Sequence, residues 1–204
     1  MLWTKIIQPY LIDFACSSKP IRDQRKKIIS DAKGVVLEIG FGSGLNLPFY
    51  NKKNIQRIIA LEPSVGMQKL ALKKIKNIKF EFLTSFADNI PMEDNSIDTV
   101  VCTYTLCSIS NTKSVLLEIK RVLKKDGKLL IIEHVRSSDY KINRFQNIIN
   151  PFWKVFAGGC SLVCDTKKEL VENGFDSNAI KQINVDGIPK FLSSSILAKL
   201  NNIK

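Results

Sequence analysis

The sequence predicts an α/β chain built on a mostly parallel sheet with helices on both faces. Three observations carry that prediction. β-Branched apolar runs recur at Val35–Ile39, Arg57–Leu61, Ile78–Leu83, Ile97–Thr103 and Lys128–Val135. Segments with helical periodicity lie between several of them, and such alternation implies right-handed crossovers and parallel pairing. The first run ends in glycines at alternating positions, Gly40, Gly42 and Gly44. A buried strand that runs into such a loop lets the backbone approach a ligand closely, because glycine has no Cβ and accepts positive φ.

Taken in order, residues 1–31 read as helical, with apolar Leu2, Trp3, Ile6, Ile7, Tyr10, Leu11 and Phe14 at helical spacing, Pro9 as an interruption, and a basic stretch from Arg22 to Lys27. The strand Val35–Ile39 leads through the glycine loop to a short helix from about Leu45. The strand Arg57–Leu61 is followed by Ser64 as the cap of a helix running through Lys76. After the strands Ile78–Leu83 and Ile97–Thr103 comes the helix Lys113–Lys124. Val115, Leu116, Ile119, Val122 and Leu123 fall on one of its faces. Lys125-Asp126-Gly127 reads as a turn before the strand Lys128–Val135. Helices are expected over 140–157 and 166–173, and short strands near 180–185 and 190–197 bring the expected strands to seven.

The 204 residues suit one domain, and 45% apolar residues suit a packed core. The net charge of +12 reads as solvated lysines on helix faces or as attraction to an anionic partner. Arginine is scarce beside lysine and the basic stretches carry few aromatics, which weakens specific nucleic-acid recognition. Five cysteines with no signal peptide ahead of them predict free thiols in a reducing cytoplasm. Cys160-x-x-x-Cys164 lacks a second pair and the lone histidine, His134, is distant in sequence, so no metal site is expected. No apolar run reaches the ~18 residues of a membrane span. The N-terminal helix would cover a pocket or rest peripherally on a membrane surface.

In an open parallel sheet, ligands bind beyond the carboxyl ends of the strands. Five segments meet there: the loop Gly40–Gly44, Glu62-Pro63-Ser64, Ser85-Phe86-Ala87-Asp88, Cys102 to Cys107, and Glu133-His134. The glycine spacing is E-x-G-x-G-x-G from Glu38. It disfavours a dinucleotide, whose third glycine would fall where Leu45 stands. Glu62 lies at the distance (~20 residues) at which an acid accepts ribose hydroxyl hydrogen bonds, or it is an acid at a helix start. The loop followed by Asn46-Leu47-Pro48 leaves room for a small zwitterion, with backbone N–H groups meeting a carboxylate. Adenosine joined to an amino acid fits that description, and S-adenosylmethionine is the common cofactor of this kind.

At this point the sequence resembles the class I S-adenosylmethionine-dependent methyltransferases of the type 11 group. The resemblance rests on Leu37 to Pro48, Leu61-Glu62-Pro63-Ser64, Asp98 to Cys107, Arg121 to Gly127, Glu133-His134-Val135, Pro151 to Lys154 and Ala157 to Cys160. The tail resembles a bacterial subgroup related to animal proteins that methylate alkyl thiols. The resemblance implies a Rossmann-like fold with a seven-stranded sheet. It implies a helical cap over 1–31, a cofactor-binding core over 32–135 and a substrate-side part over 136–204. It implies contacts to the methionine part from Gly40, Gly42 and Gly44, with Glu38, Ser43, Asn46 and Thr103 beside them. Glu62 would hold the ribose, with Pro63, Met67, Phe86 and Ala87 near the adenine. Many relatives carry an acid where Phe86 stands, and close relatives carry a polar stretch where this chain has Ser161-Leu162-Val163-Cys164.

Methyl transfer from a sulfonium is an in-line displacement, so orientation and exclusion of water dominate. His134 is the candidate general base or a residue that shapes the pocket. Tyr104 orients the acceptor or caps the pocket. Cys107 has no activating neighbour in the sequence. The expected acceptor is a small or amphipathic thiol or lipid amine, for which the apolar N-terminus and Phe152-Trp153 suggest an apolar pocket. The alternatives are an RNA methyltransferase and a non-catalytic nucleotide-binding module.

Overall fold

The computed structural model describes residues 3–75 and 79–202. Seven strands form one sheet: β1 (Gly34–Ile39), β2 (Ile55–Leu61), β3 (Phe80–Leu83), β4 (Ile97–Thr103), β5 (Leu123–His134), β6 (Ile180–Asn184) and β7 (Ser194–Asn201). Their spatial order is β3-β2-β1-β4-β5-β7-β6. The first five pair in parallel, and β7 runs antiparallel to both β5 and β6. The order reverses between β1 and β4, which puts the glycine loop at the switch point where open α/β sheets bind ligands.

The helices are α1 (Gln8–Cys16), α2 (Lys19–Ile29), α3 (Val65–Leu72), α4 (Thr112–Val122), α5 (Tyr140–Phe156), α6 (Thr166–Glu172) and a single turn, α7 (Lys190–Ser193). Side-chain alternation along the strands divides the core in two. Leu37, Ile39, Ile59, Leu61, Val100 and Ile131 pack with Val115, Leu116 and Ile119 of α4 on one face. Val36, Ile58, Ala60, Val101 and Leu130 pack with Ile28 and Ile29 of α2 on the other. Glu38 shares the parity of Val36, so its carboxylate points into the α2 side of the sheet.

Local chemistry sets the element ends. Ser64 caps α3 by accepting from the Met67 N–H, Asn111 caps α4, and Asp139 caps α5 through the Lys141 and Ile142 N–H groups. Several expectations shift. Pro9 does not interrupt the N-terminal segment: it lies in the first turn of α1, where a missing N–H costs nothing, and a π-helical turn, Trp3–Ile7, leads into it. The expected helix after Leu45 is one 3-10 turn, Leu47–Phe49. Helix α3 ends at Leu72, and the residues Lys76 and Ile78, named above, lie outside the described residues. Strand β5 begins at Leu123 rather than Lys128, because Leu123 already pairs with Ile97. The expected turn is an excursion of Lys124 to Gly127 before Lys128 meets Thr99. The last strand starts at Ser194, four residues late, because α7 occupies Lys190–Ser193.

Candidate active site

The glycine loop is held by its own geometry. Gly40, Gly42 and Gly44 have φ of +67°, +57° and +76°, a region in which a Cβ is strained. At Gly40 a Cβ would also fall 2.3 Å from Thr105 Oγ1, so the loop there must be bare. At Gly42 the nearest atom to an added Cβ is the Gly40 carbonyl at 3.8 Å. That glycine therefore borders open space rather than protein, as a cradle for a ligand would.

Glu62, at the end of β2, is buried and ties this loop to the start of α3. One carboxylate oxygen accepts from the Gly42 N–H and the other from the Ser64 N–H, both at 2.8 Å. Burial raises its pKa, and those two backbone hydrogen bonds oppose the rise. Ser43 donates to Asp13 of α1, which also pairs with Lys74, so the N-terminal helix is latched onto the glycine loop.

Beneath the loop lies a closed polar network. Glu38 is 2% exposed and accepts from Asn46 Nδ2 at 2.9 Å and from the Tyr50 hydroxyl at 2.5 Å. Burial pushes its carboxyl up to about 7, against the pull of those hydrogen bonds. Arg25 Nη1 donates to Asn46 Oδ1 at 2.9 Å and to Thr103 Oγ1 at 2.7 Å. Its guanidinium lies 5.3 Å from the Tyr104 ring centre. Its Nε is buried and has no hydrogen-bond partner among the described residues. Sequence reasoning missed Arg25, because it sits in the basic stretch Arg22 to Lys27, which reads as solvated. The available signal was its position: Ile21, Arg25, Ile28 and Ile29 share the buried face of α2.

The second half of the site comes from the ends of β4 and β5. Glu133, fully buried, accepts from the N–H groups of Thr105, Leu106 and Cys107 at 2.8, 2.9 and 3.3 Å. It thereby holds the 3-10 turn Leu106–Ser108 as a helix-end carboxylate would. Tyr104 sits ahead of that turn at φ +56°, an uncommon conformation for a residue with a Cβ, with its N–H donating to the Ile132 carbonyl at 2.7 Å. The Tyr104 and His134 rings lie 4.7 Å apart. Burial, with Arg25 adding to it, drives the His134 pKa down to about 4, against a hydrogen bond to the Leu192 backbone. The imidazole is therefore neutral near pH 7. The Tyr104 hydroxyl and His134 Nδ1 are both buried without partners among the described residues. The Cys107 and Cys160 sulfurs lie 3.3 Å apart at the edge of this half. Among the described residues no cluster of three or more ligand side chains suits a metal ion.

The remaining predicted positions fall around this frame. Ala87 is buried, Met67 half-buried and Pro63 exposed, all near the end of β2 or β3. Phe86 is 70% exposed and turns to solvent. Phe152 was expected to line an apolar pocket, but it is 72% exposed. Trp153 instead packs against Phe191, with ring centres 5.9 Å apart.

The site offers a carboxylate acceptor at Glu62, an open backbone at Gly42, and an unpartnered guanidinium N–H at Arg25 suited to a carboxylate. Comparison with known proteins agrees. Residues 37–131 match a family model described as a methyltransferase domain. Rat thiol S-methyltransferase TMT1B is 31% identical over 183 residues, covering 82% of this chain and 74% of the relative. Human thiol S-methyltransferase TMT1A is 32% identical over 154 residues, covering 72% of this chain and 62% of the relative. A methyltransferase structure from Thermotoga maritima covers 98% of both chains at a TM-score of 0.67 and 18% identity. One from Aquifex aeolicus covers 96% of this chain and 98% of its own at 0.63 and 20%. These two likenesses show the fold. With these relatives and this fold, the chain belongs to the class I S-adenosylmethionine-dependent methyltransferases.

Proposed function

We propose that this methyltransferase transfers the methyl group to the sulfur of a small apolar thiol. The observation that carries the proposal is the pair of unpartnered buried polar atoms, Tyr104 OH and His134 Nδ1, at the ends of β4 and β5. Buried polar atoms without partners are rare, and a pair of them at a sheet edge suits a ligand that would satisfy them. The relatives named as thiol S-methyltransferases support the same acceptor.

When bound, S-adenosylmethionine supplies an electrophilic methyl on a sulfonium, with a good leaving group. The chain's residues then have four tasks. Gly40, Gly42 and Gly44 let the backbone lie against the methionine part, with Ser43 and Asn46 fixing the loop. Arg25 offers its free N–H to the methionine carboxylate, and Glu38 and Thr103 hold Arg25 and Asn46 in place. Glu62 exchanges its hydrogen bonds to the Gly42 and Ser64 N–H groups for ribose hydroxyls, and Pro63, Met67, Phe86 and Ala87 flank the adenine. His134, neutral and with Nδ1 free, accepts the S–H hydrogen bond of the entering thiol and positions its sulfur; the thiol's proton is then lost to water, and the resulting thiolate is the nucleophile aligned for in-line attack. Tyr104 closes the wall beside it.

The low basicity of His134 matters here. An imidazole that resists protonation is a weak base, so its main contribution is orientation, and the thiol's own ionisation sets the pH dependence. The experiment is methyl transfer to a series of small thiols, followed by release of S-adenosylhomocysteine and mass detection of the S-methyl product. The expected rate rises with pH along the acceptor's own pKa, with no inflection from His134 between pH 5.5 and 8. Tight cofactor binding with no transfer to any thiol would reject this acceptor class.

A further inference from the structure

We infer that α1 and α5 together form a docking face for an anionic phospholipid surface. The inference does not depend on which acceptor is methylated. It rests on an apolar stripe that α5 leaves exposed in addition to the side chains it packs inward. Phe145, Ile148, Phe152, Val155 and Phe156 recur every three to four residues along one face, and all are exposed. The inward face is held by Trp153, packed on Phe191, and by two polar groups. Gln146 is buried, accepts from the Ser137 N–H at 2.8 Å and donates to the Phe191 carbonyl at 2.9 Å. Asn150 accepts from the Leu162 N–H at 2.8 Å. A helix on the surface of a water-soluble domain ordinarily turns its apolar stripe inward. Here an apolar stripe also faces out.

Helix α1 extends the same face. Ile6 and Ile7 of the leading turn, with Tyr10, Leu11 and Phe14, are exposed, Phe14 to 81%. The two segments are joined side by side: Gln8 Nε2 donates to the Val155 carbonyl at 2.9 Å, and the Trp3 and Phe156 rings meet edge to face at 5.8 Å. Ten large apolar side chains are thus exposed on two segments that touch each other. Water-soluble monomers rarely expose more than a few hundred Å² of apolar surface in one patch, and larger patches mark interaction sites.

Charge decides between occupants. Over its 17 residues α5 carries Lys141, Arg144 and Lys154 and no acid. Asp139, just before it, is engaged as the cap, and Asp13 of α1 is paired with Lys74 and Ser43. Lys73, just after α3, is exposed beside α1, 6.0 Å from the Tyr10 ring centre. A second copy would bring the same cations against these and add a further +12 charge, which disfavours self-association across this face. An apolar face rimmed by lysine and arginine matches the boundary between anionic headgroups and acyl chains, where interfacial helices lie. Because Asp13 also latches onto the glycine loop through Ser43, docking would seat the cofactor loop next to the lipid.

The test is co-sedimentation of the full chain with vesicles of phosphatidylcholine alone, or of phosphatidylcholine with roughly a third phosphatidylglycerol. We expect pelleting with the anionic vesicles, weakened by salt, and at least about tenfold less with the neutral ones. The double variant Ile148→Asp/Phe152→Asp should lose anionic-vesicle binding at least about tenfold while binding S-adenosylmethionine as the parent does, which confirms folding. Phe14→Asp should lose it independently. Absence of pelleting at low salt, or equal pelleting of the double variant, would overturn the inference. So would a dimer seen by light scattering that the double variant abolishes, because that assigns the face to a second copy.

Discussion

The two halves of the site are built on opposite principles. On the cofactor side, the carboxylates Glu38 and Glu62 already have partners within the protein, and Asn46 and Thr103 close the network around them. On the acceptor side, the Tyr104 hydroxyl and His134 Nδ1 end in no partner. In the proposed reading the first half is a pre-organised receptor whose carboxylates are held before a ligand arrives, with Arg25 Nε its unpartnered donor among the described residues. The second leaves two buried polar atoms without partners among the described residues. Pre-organisation lowers the cost of binding a constant cofactor, whereas sparse polarity leaves orientation to one or two atoms. The comparison implies that damage to the first half should appear as lost cofactor affinity, and damage to the second as lost turnover.

The largest effect is expected from the acceptor half. His134→Ala should lower kcat by about a hundredfold or more through lost orientation of the sulfur, while cofactor affinity, read by calorimetry, stays within about threefold. A matching loss of affinity would break the division between the halves. Next, Gly42→Val should weaken S-adenosylmethionine by more than about a hundredfold, since it puts a branched side chain into the open space by the loop at φ +57°. Third, Arg25→Met should weaken S-adenosylmethionine by about tenfold to a hundredfold and leave methylthioadenosine, which lacks the carboxylate, almost untouched. Equal losses for both ligands would make Arg25 purely structural. Glu62→Gln should weaken both, because the ribose is common to them.

The last effect is on stability, and it has opposite signs in the two halves. Glu38 is raised to about 7. Its favourable contribution is complete below the unfolded carboxyl pKa and is lost as pH rises through 7. His134 is depressed to about 4. Its contribution is complete above the unfolded imidazole pKa and is lost as pH falls through 4. Thermal melts of the cofactor-free protein should therefore show Glu38→Gln gaining on the parent between pH 5 and 8, and His134→Phe gaining between pH 6.5 and 4. Each gain should be about 1–3 kcal/mol.

The same contrast explains what the sequence disclosed. Local patterns announce the cofactor half: a strand, alternating glycines, and an acid after the next strand. The positions of the first five strands, and of Glu62 at the end of the second, could be read because each depends on a few neighbouring residues. Arg25 was hidden, because a buried arginine differs from a solvated one only through the Ile21, Ile28 and Ile29 face it shares, and its partners Asn46 and Thr103 are 21 and 78 residues away. Glu133 gave no sign of its task, since the N–H groups it holds belong to a turn 26 to 28 residues earlier. Phe152 misled, because an apolar residue near a site reads as pocket lining until the outward turn of α5 is seen. Tertiary pairing across the sheet, rather than any local signal, builds the acceptor half.

The most direct measurement is a competition. The enzyme is given methyl-labelled S-adenosylmethionine with a small apolar thiol, a lipid amine and a structured RNA together, and the labelled product is identified by mass spectrometry. The account predicts label on the thiol sulfur, falling by about a hundredfold or more in His134→Ala without loss of cofactor binding. Label on the amine nitrogen or on RNA, with the thiol left unmethylated while the cofactor is consumed, would contradict it.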